Sequence, residues 1–163
     1  MGVPTFFDTS ALQHRYIDTP KSRRVRRVIS DARAMSYVST VTILEIASTF
    51  GRHCRSNGLS RVDYRRLDRA FWKDIRNETL QLREPRQREY LKALHLLQYA
   101  GVDLKRRITS FDALIAASCL ELALELSVKV KFYLDDAPLY DVIHRLSAYR
   151  SAIDFRFIGT PRA

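Results

Sequence analysis

Long apolar runs are missing from this sequence. No stretch approaches the roughly 20 consecutive apolar residues that a bilayer-spanning helix needs. The opening, Met1-Gly2-Val3-Pro4-Thr5-Phe6-Phe7-Asp8, lacks the basic start and extended apolar segment of a secretion signal. The expectation is a soluble, cytoplasmic protein with no membrane association. Cysteine is scarce: Cys54 and Cys119 are the only two. One pair does not make a disulfide framework, and a reducing compartment is the simpler setting. Glycine and proline number five each and are scattered. No flexible linker divides the chain, and residues 1–163 are expected to form a single domain. Dinucleotide-binding and P-loop glycine patterns are absent. His14, His53, His95 and His144 fall into no zinc spacing, and no serine carries the flanks of a nucleophile elbow.

What is present is a hydrophobic fraction of 46%, enough for a core, and a formal net charge of +10. A basic balance favours polyanions or acidic proteins as partners and says nothing about fold. The charge falls in clusters: Arg23, Arg24, Arg26 and Arg27; Arg61, Arg65, Arg66 and Arg69; Lys105, Arg106 and Arg107. The bland reading of any one cluster is a solvated helix face; the sum is harder to set aside.

The chain reads as strands alternating with helices. Thr5-Phe6-Phe7 is a buried-strand pattern ending at Asp8, and Ala11–Ile17 a first helix. Val25, Val28, Ile29 and Ala32 recur at helical spacing over 21–34, and Ser36–Ser39 is a second strand. A helix through Ile43, Leu44, Ile46, Ala47 and Phe50 fades at Ser56-Asn57-Gly58. Ser60 opens another, with Tyr64, Leu67, Phe71 and Ile75 on one stripe; Trp72 sits off it, either at a packed edge or on a partner surface. Thr79–Leu82 is expected as a third strand. Pro85 is expected in the first turn of a helix that stops at Gly101. Thr109-Ser110 caps a helix from 111 to 126 that is apolar almost all round, hence central. Val130–Leu134 is a fourth strand, and 155–158 a fifth. Such alternation implies right-handed crossovers and a mostly parallel five-stranded sheet with helices on both faces.

Four carboxylates stand out against this frame. Asp8 and Asp136 lie just past the ends of the first and fourth strands, where open parallel sheets place their sites. Asp112 falls in the first turn of the central helix, where the helix dipole favours negative charge. Glu45 has apolar neighbours on both sides, and a lone buried charge there is costly unless paired or metal-bound; the other reading is the solvent face of an amphipathic helix.

Four blocks in order resemble the PIN-domain family, and within it the VapC-type ribonuclease toxins. They are Phe6-Phe7-Asp8-Thr9-Ser10-Ala11-Leu12, Val38 through Ile46 with its Glu45, Phe111-Asp112-Ala113-Leu114-Ile115-Ala116-Ala117-Ser118, and Phe132 through Leu139. The third is the most specific. One departure is Leu134, where the family usually carries Thr or Ser. In the fourth block Asp135 is a rival to Asp136, which is preferred because the apolar Leu139 follows three residues later. The stretch 56–101 carries no motif.

The resemblance implies a PIN-like three-layer α/β/α fold and a metal-dependent endoribonuclease. Asp8, Asp112 and Asp136 would bind Mg²⁺ or Mn²⁺, with Glu45 completing the pocket and Thr9 or Ser10 holding a water. It also implies the toxin of a type II toxin–antitoxin pair, a cognate antitoxin and a homodimer. The basic clusters would position RNA, with Tyr16, Tyr37 and Trp72 as candidates for base stacking, and the exposed face of the helix at 60–76 as a clip for an antitoxin segment. The alternative is a catalytically silent PIN-like module that binds RNA or protein.

Overall fold

Apolar runs that end at polar turns become strands buried on both faces, and the apolar stripes between them become the helices that cover those faces. The computed structural model describes residues 2–159. Among them the order is β1 (Val3–Phe7), α1 (Thr9–Tyr16), α2 (Ser22–Ile29), β2 (Ala34–Ser39), α3 (Thr42–Asn57), α4 (Arg61–Arg76), β3 (Gln81–Arg83) and α5 (Gln87–Gln98). A π-helical turn (Tyr99–Asp103) precedes α6 (Ser110–Leu126), β4 (Val130–Leu134), α7 (Ala137–Arg145), α8 (Ser147–Ala152) and β5 (Ile153–Phe157).

The strands form one sheet in the order β3-β2-β1-β4-β5. Every pairing is parallel, with Phe6 beside both Tyr37 and Phe132, Val38 beside Leu82, and Phe132 beside Phe155. One core lies between the sheet and α5–α8, built on Phe6, Phe132, Leu134, Ile115, Leu120 and Val142. The other lies beneath α1–α4, built on Phe7, Val38, Ile46, Phe50, Phe71 and Tyr133. This is the expected three-layer α/β/α arrangement of the PIN type, with an all-parallel sheet. The chain winds outward from β1 to β3 and then returns to β4 on the other side of β1. The topological switch point therefore lies between β1 and β4, where such sheets open a crevice at the strand carboxyl ends.

α6 is the crossover that makes this return. Residues 113–123 are buried without interruption, as its all-round apolarity predicts. Thr109 caps it: the Asp112 N–H donates to Thr109 Oγ1 at 3.1 Å, and the Asp112 carboxylate accepts from the Thr109 N–H at 2.7 Å. Gly58, with φ +67°, ends α3 in the left-handed region where glycine is unstrained. No described helix is long and apolar enough to cross a membrane.

Several boundaries differ from the expected ones, each for a local reason. α2 stops at Ile29 and not 34, because Ala34 joins β2 opposite Val3, and its N–H turns to Asp31 O at 2.8 Å. β3 starts at Gln81 and not Thr79, since the Leu80 N–H closes the tail of α4 on Asp74 O at 3.2 Å. Pro85 lies outside α5: the buried Glu89 reaches back to the Arg86 N–H at 3.1 Å, so Arg86 is the cap. Gly101 does not end that segment. The π-helical turn runs through it, with the Leu104 N–H on Tyr99 O at 3.1 Å, and the chain reverses at Lys105, φ +53°. β5 begins at Ile153, two residues early. Trp72 packs edge-on against Phe71, which resolves it as a packed edge. Both cysteines are free thiols, with Cys119 buried.

The Thr109 cap ties stability to the placement of Asp112. Thr109→Ala is expected to cost about 1 kcal/mol, or roughly 2–4 °C in Tm for a domain of this size. Thermal unfolding followed by circular dichroism checks this; an unchanged Tm would show that the Asp112–Thr109 N–H bond alone holds the helix start.

Candidate metal centre at the sheet switch point

Each candidate acid is delivered by the end of a strand or the start of a helix. Asp8 follows β1 and caps α1. Its side chain is 1% exposed. One oxygen, Oδ2, accepts the Ser10 N–H at 3.0 Å and also the Ser10 hydroxyl. The other, Oδ1, is buried with no hydrogen-bond partner. Glu45 sits in the first turn of α3. Its neighbours do not enclose it as the sequence suggested: Leu44 is 65% exposed. Glu45 is half-buried on the inward side, where Oε2 accepts the Thr9 hydroxyl at 2.6 Å. Asp112, also half-buried, occupies the first turn of α6.

These three converge. Asp8, Glu45 and Asp112 each offer a carboxylate oxygen, and those oxygens lie within 4.8 Å of one another. Asp136 lies outside that tight triplet. It caps α7, with Oδ1 accepting the Leu139 N–H at 2.7 Å. The three-residue spacing to Leu139, noted in the sequence, is thus the spacing of an N-cap bond. Asp136 is still close enough for its charge to act on Glu45. Asp135 is placed differently: its carboxylate meets His14 Nε2 at 2.9 Å and Lys21 Nζ at 2.5 Å.

The electrostatics follow from crowding and burial. Removal from water pushes the Asp8 carboxyl up to about 7, the Ser10 hydroxyl pulls it back, and Asp112 and Glu45 push it up again. Glu45 is also raised, first by burial and then by Asp112 and Asp136; its bond to Thr9 and the charge of Arg52 oppose this. Arg52 was not anticipated, although its position seven residues after Glu45 sets it two turns along the same helix face. The partners of Asp135 were missed too, and no local signal marks a contact across 121 residues of chain.

The hydroxyls expected to hold a water are otherwise engaged, Thr9 with Glu45 and Ser10 with Asp8. Tyr16, one of the aromatics considered for base stacking, packs edge-on against Phe50 and Phe71 and donates to Asp74 at 3.0 Å. It belongs to the core.

The donor set suits a hard divalent cation: all ligands are carboxylate oxygens, which Mg²⁺ and Mn²⁺ accept. The partnerless buried Oδ1 of Asp8 and the mutual repulsion of the triplet are both relieved by such an ion.

The profile of the PIN domain matches residues 5–136, well over half of the chain. The chain belongs to the PIN domain family. The match spans β1 through Asp136 and so includes all four acids. No curated protein matches the sequence. Among solved structures, the fold is similar to that of VapBC-5 from Mycobacterium tuberculosis, a member of the VapBC family of toxin–antitoxin systems. The TM-score is 0.60 at 13% identity, over 96% of this chain and 99% of that one. It is similar to VapBC2 from Rickettsia felis, solved with a DNA fragment from its promoter, with TM-score 0.60 at 9% identity over 94% and 99%. It is similar also to PAE2754 from Pyrobaculum aerophilum, with TM-score 0.57 at 18% identity over 87% and 86%. At these identities the likeness is one of fold.

The raised Asp8 gives a signed expectation for this PIN domain. A carboxyl whose folded-state value lies above its unfolded one binds the proton more tightly when folded. Its stabilising contribution is complete below the ordinary aspartate value and is lost as pH rises through about 7. Metal-free protein should therefore lose Tm between pH 6 and 8, and Asp8→Asn should flatten that loss. Added Mn²⁺ should raise Tm more at pH 8 than at pH 6. Scanning calorimetry at the two pH values decides; an equal Mn²⁺ effect at both would refute the assignment of Asp8 as the controlling group.

Proposed function

We propose that this PIN domain is a divalent-metal-dependent endoribonuclease, the toxin of a type II toxin–antitoxin pair. The observation that carries the reading is the convergence of Asp8, Glu45 and Asp112 at the switch point, with a buried Asp8 oxygen left without a partner. Membership of the PIN family and a fold shared with VapBC proteins support it.

Asp8, Glu45 and Asp112 would hold Mg²⁺ or Mn²⁺, and Asp136 would complete the set at the end of β4. Such an ion supplies charge stabilisation at a phosphodiester and an acidified water. The chain's own residues do the rest. Ser10 fixes Asp8 by two bonds, which leaves Oδ1 as the oxygen available to the pocket. Thr9 holds Glu45 from the neighbouring helix, so the two acids keep their relative placement. Glu45, with its proton affinity raised, suits the orientation of an attacking water. Asp136 is preferred to Asp135 because Asp135 is committed to Lys21 and His14.

The net charge of +10 suits a polyanionic substrate. Exposed arginines on α2 and α4, among them Arg23, Arg24, Arg65 and Arg69, would contact RNA phosphates without reading sequence. An antitoxin with acidic segments fits the same surface, and a homodimer in the cytoplasm is the assembly proposed.

Purified protein should cleave single-stranded RNA with Mg²⁺ or Mn²⁺ and not with EDTA. Asp8→Ala, Asp112→Ala and Asp136→Ala should each lose roughly hundredfold or more in rate. Gel assays on a labelled transcript measure it. Equal cleavage by wild type and the Asp8 and Asp112 variants would sink the nuclease reading and leave the binding-module alternative.

A further inference from the structure

Asp135 is a largely buried acid that lies beside the proposed centre and is not one of its ligands. Its side chain is 12% exposed. It receives Lys21 Nζ at 2.5 Å and His14 Nε2 at 2.9 Å. His14 is fixed from its other side, with Nδ1 at 2.8 Å from Thr19 Oγ1. Thr19 is fixed in turn by Ser22, whose hydroxyl accepts the Thr19 N–H at 2.9 Å and donates to Ile17 O at 2.8 Å. The whole turn between α1 and α2 is thus built around one carboxylate at the end of β4.

That carboxylate is wired to the centre through its own backbone. The Asp135 N–H donates to Ser10 Oγ at 2.8 Å, and the Ser10 hydroxyl donates to Asp8 Oδ2. A serine hydroxyl has one proton to give, so accepting from Asp135 leaves that proton for Asp8. Wherever Asp135 is held, the direction of the Ser10 hydroxyl is held with it. The consequence is an Asp8 with one oxygen engaged and the other open.

We infer that Lys21, His14 and Asp135 form a clamp of positioning residues that sets the orientation of Asp8 for cation binding. The inference rests on the metal-centre reading above. A buried ion pair is weak evidence for stability, because desolvating both charges offsets their attraction. Its position here, one hydrogen bond from Ser10 and two from Asp8, gives it a different use. Partners of this kind hold ligating groups in place, and their loss typically weakens metal affinity about 10–100-fold.

Electrostatics alone and positioning make opposite claims for Lys21. Removing a positive charge near an acidic pocket should tighten cation binding. Removing a clamp should weaken it. The experiment is titration of metal-free protein with Mn²⁺, by calorimetry and by loss of the free-Mn²⁺ paramagnetic resonance signal. It uses wild type, Lys21→Met, Lys21→Arg and Asp135→Asn, with Tm recorded for each. Lys92→Met is the control, since Lys92 and Glu121 form a comparable partly buried pair at 2.6 Å between α5 and α6, on the opposite face of the sheet. Expected are Mn²⁺ affinities about tenfold weaker in Lys21→Met and Asp135→Asn, recovery in Lys21→Arg, and wild-type affinity in Lys92→Met despite a lowered Tm. Unchanged or tighter binding in Lys21→Met overturns the clamp, as does equal weakening in Lys92→Met. Should Asp135→Asn fail to fold, the half-exposed Lys21 pair of variants still decides. Wild-type protein that binds no Mn²⁺ overturns the metal centre itself, a result distinct from failure of the clamp alone.

Discussion

Like charges brought together in a buried place repel, and this molecule holds three carboxylates with oxygens within 4.8 Å of one another. The architecture around them offsets that repulsion. Asp8 caps α1, Asp136 caps α7, and Glu45 and Asp112 lie in the first turns of α3 and α6. All four acids sit at helix N-termini, where unpaired N–H groups and the helix dipole favour negative charge by about 0.3–1 kcal/mol each. Burying an ionised carboxylate costs several times that. The helix ends are therefore insufficient, and Asp8 keeps a raised proton affinity even with two bonds from Ser10. A divalent cation bound among these carboxylates would supply the remaining deficit.

Much of this was legible in the sequence because the signals are local. Asp8 ends an apolar strand and precedes Thr9-Ser10, and Asp112 follows a Thr three residues earlier, which is a capping box in sequence form. Alternation of strand and helix patterns was enough for a parallel three-layer sheet. The boundaries that shifted were decided by partners remote from the local pattern. Glu89, buried against Arg83 at 3.0 Å, fixes where α5 begins. The register of Ala34 against Val3 fixes where α2 ends. Gly101 faces open space and imposes no turn, so a π-helical turn runs through a residue that composition marks as a stop.

Glu45 was singled out through a premise that the structure corrects. Its apolar neighbours in sequence suggested enclosure, yet Leu44 points outward and Glu45 is only half-buried. What singles Glu45 out is spatial: the bond from Thr9, 36 residues away, and the charges of Asp112 and Asp136. Asp135 is the converse. In sequence only the Leu139 spacing favours Asp136 over it; in space Asp136 caps α7 while Asp135 meets the distant Lys21 and His14.

The same contrast bears on where specificity would reside in a nuclease of this design. The acids are placed by the ends of β1 and β4 and the starts of α3 and α6, features that belong to the topology itself. Solved structures at 9–18% identity share this fold over most of their length. The arginine-rich faces of α2 and α4 lie outside the core and are constrained by no comparable packing. Phosphate contacts from such faces orient a strand without reading it. In the proposed nuclease, discrimination between RNAs would then fall to contacts other than these. The turn between α1 and α2 that carries Thr19 and Lys21 is tied through Lys21 to Asp135, whose N–H donates to Ser10 beside Asp8.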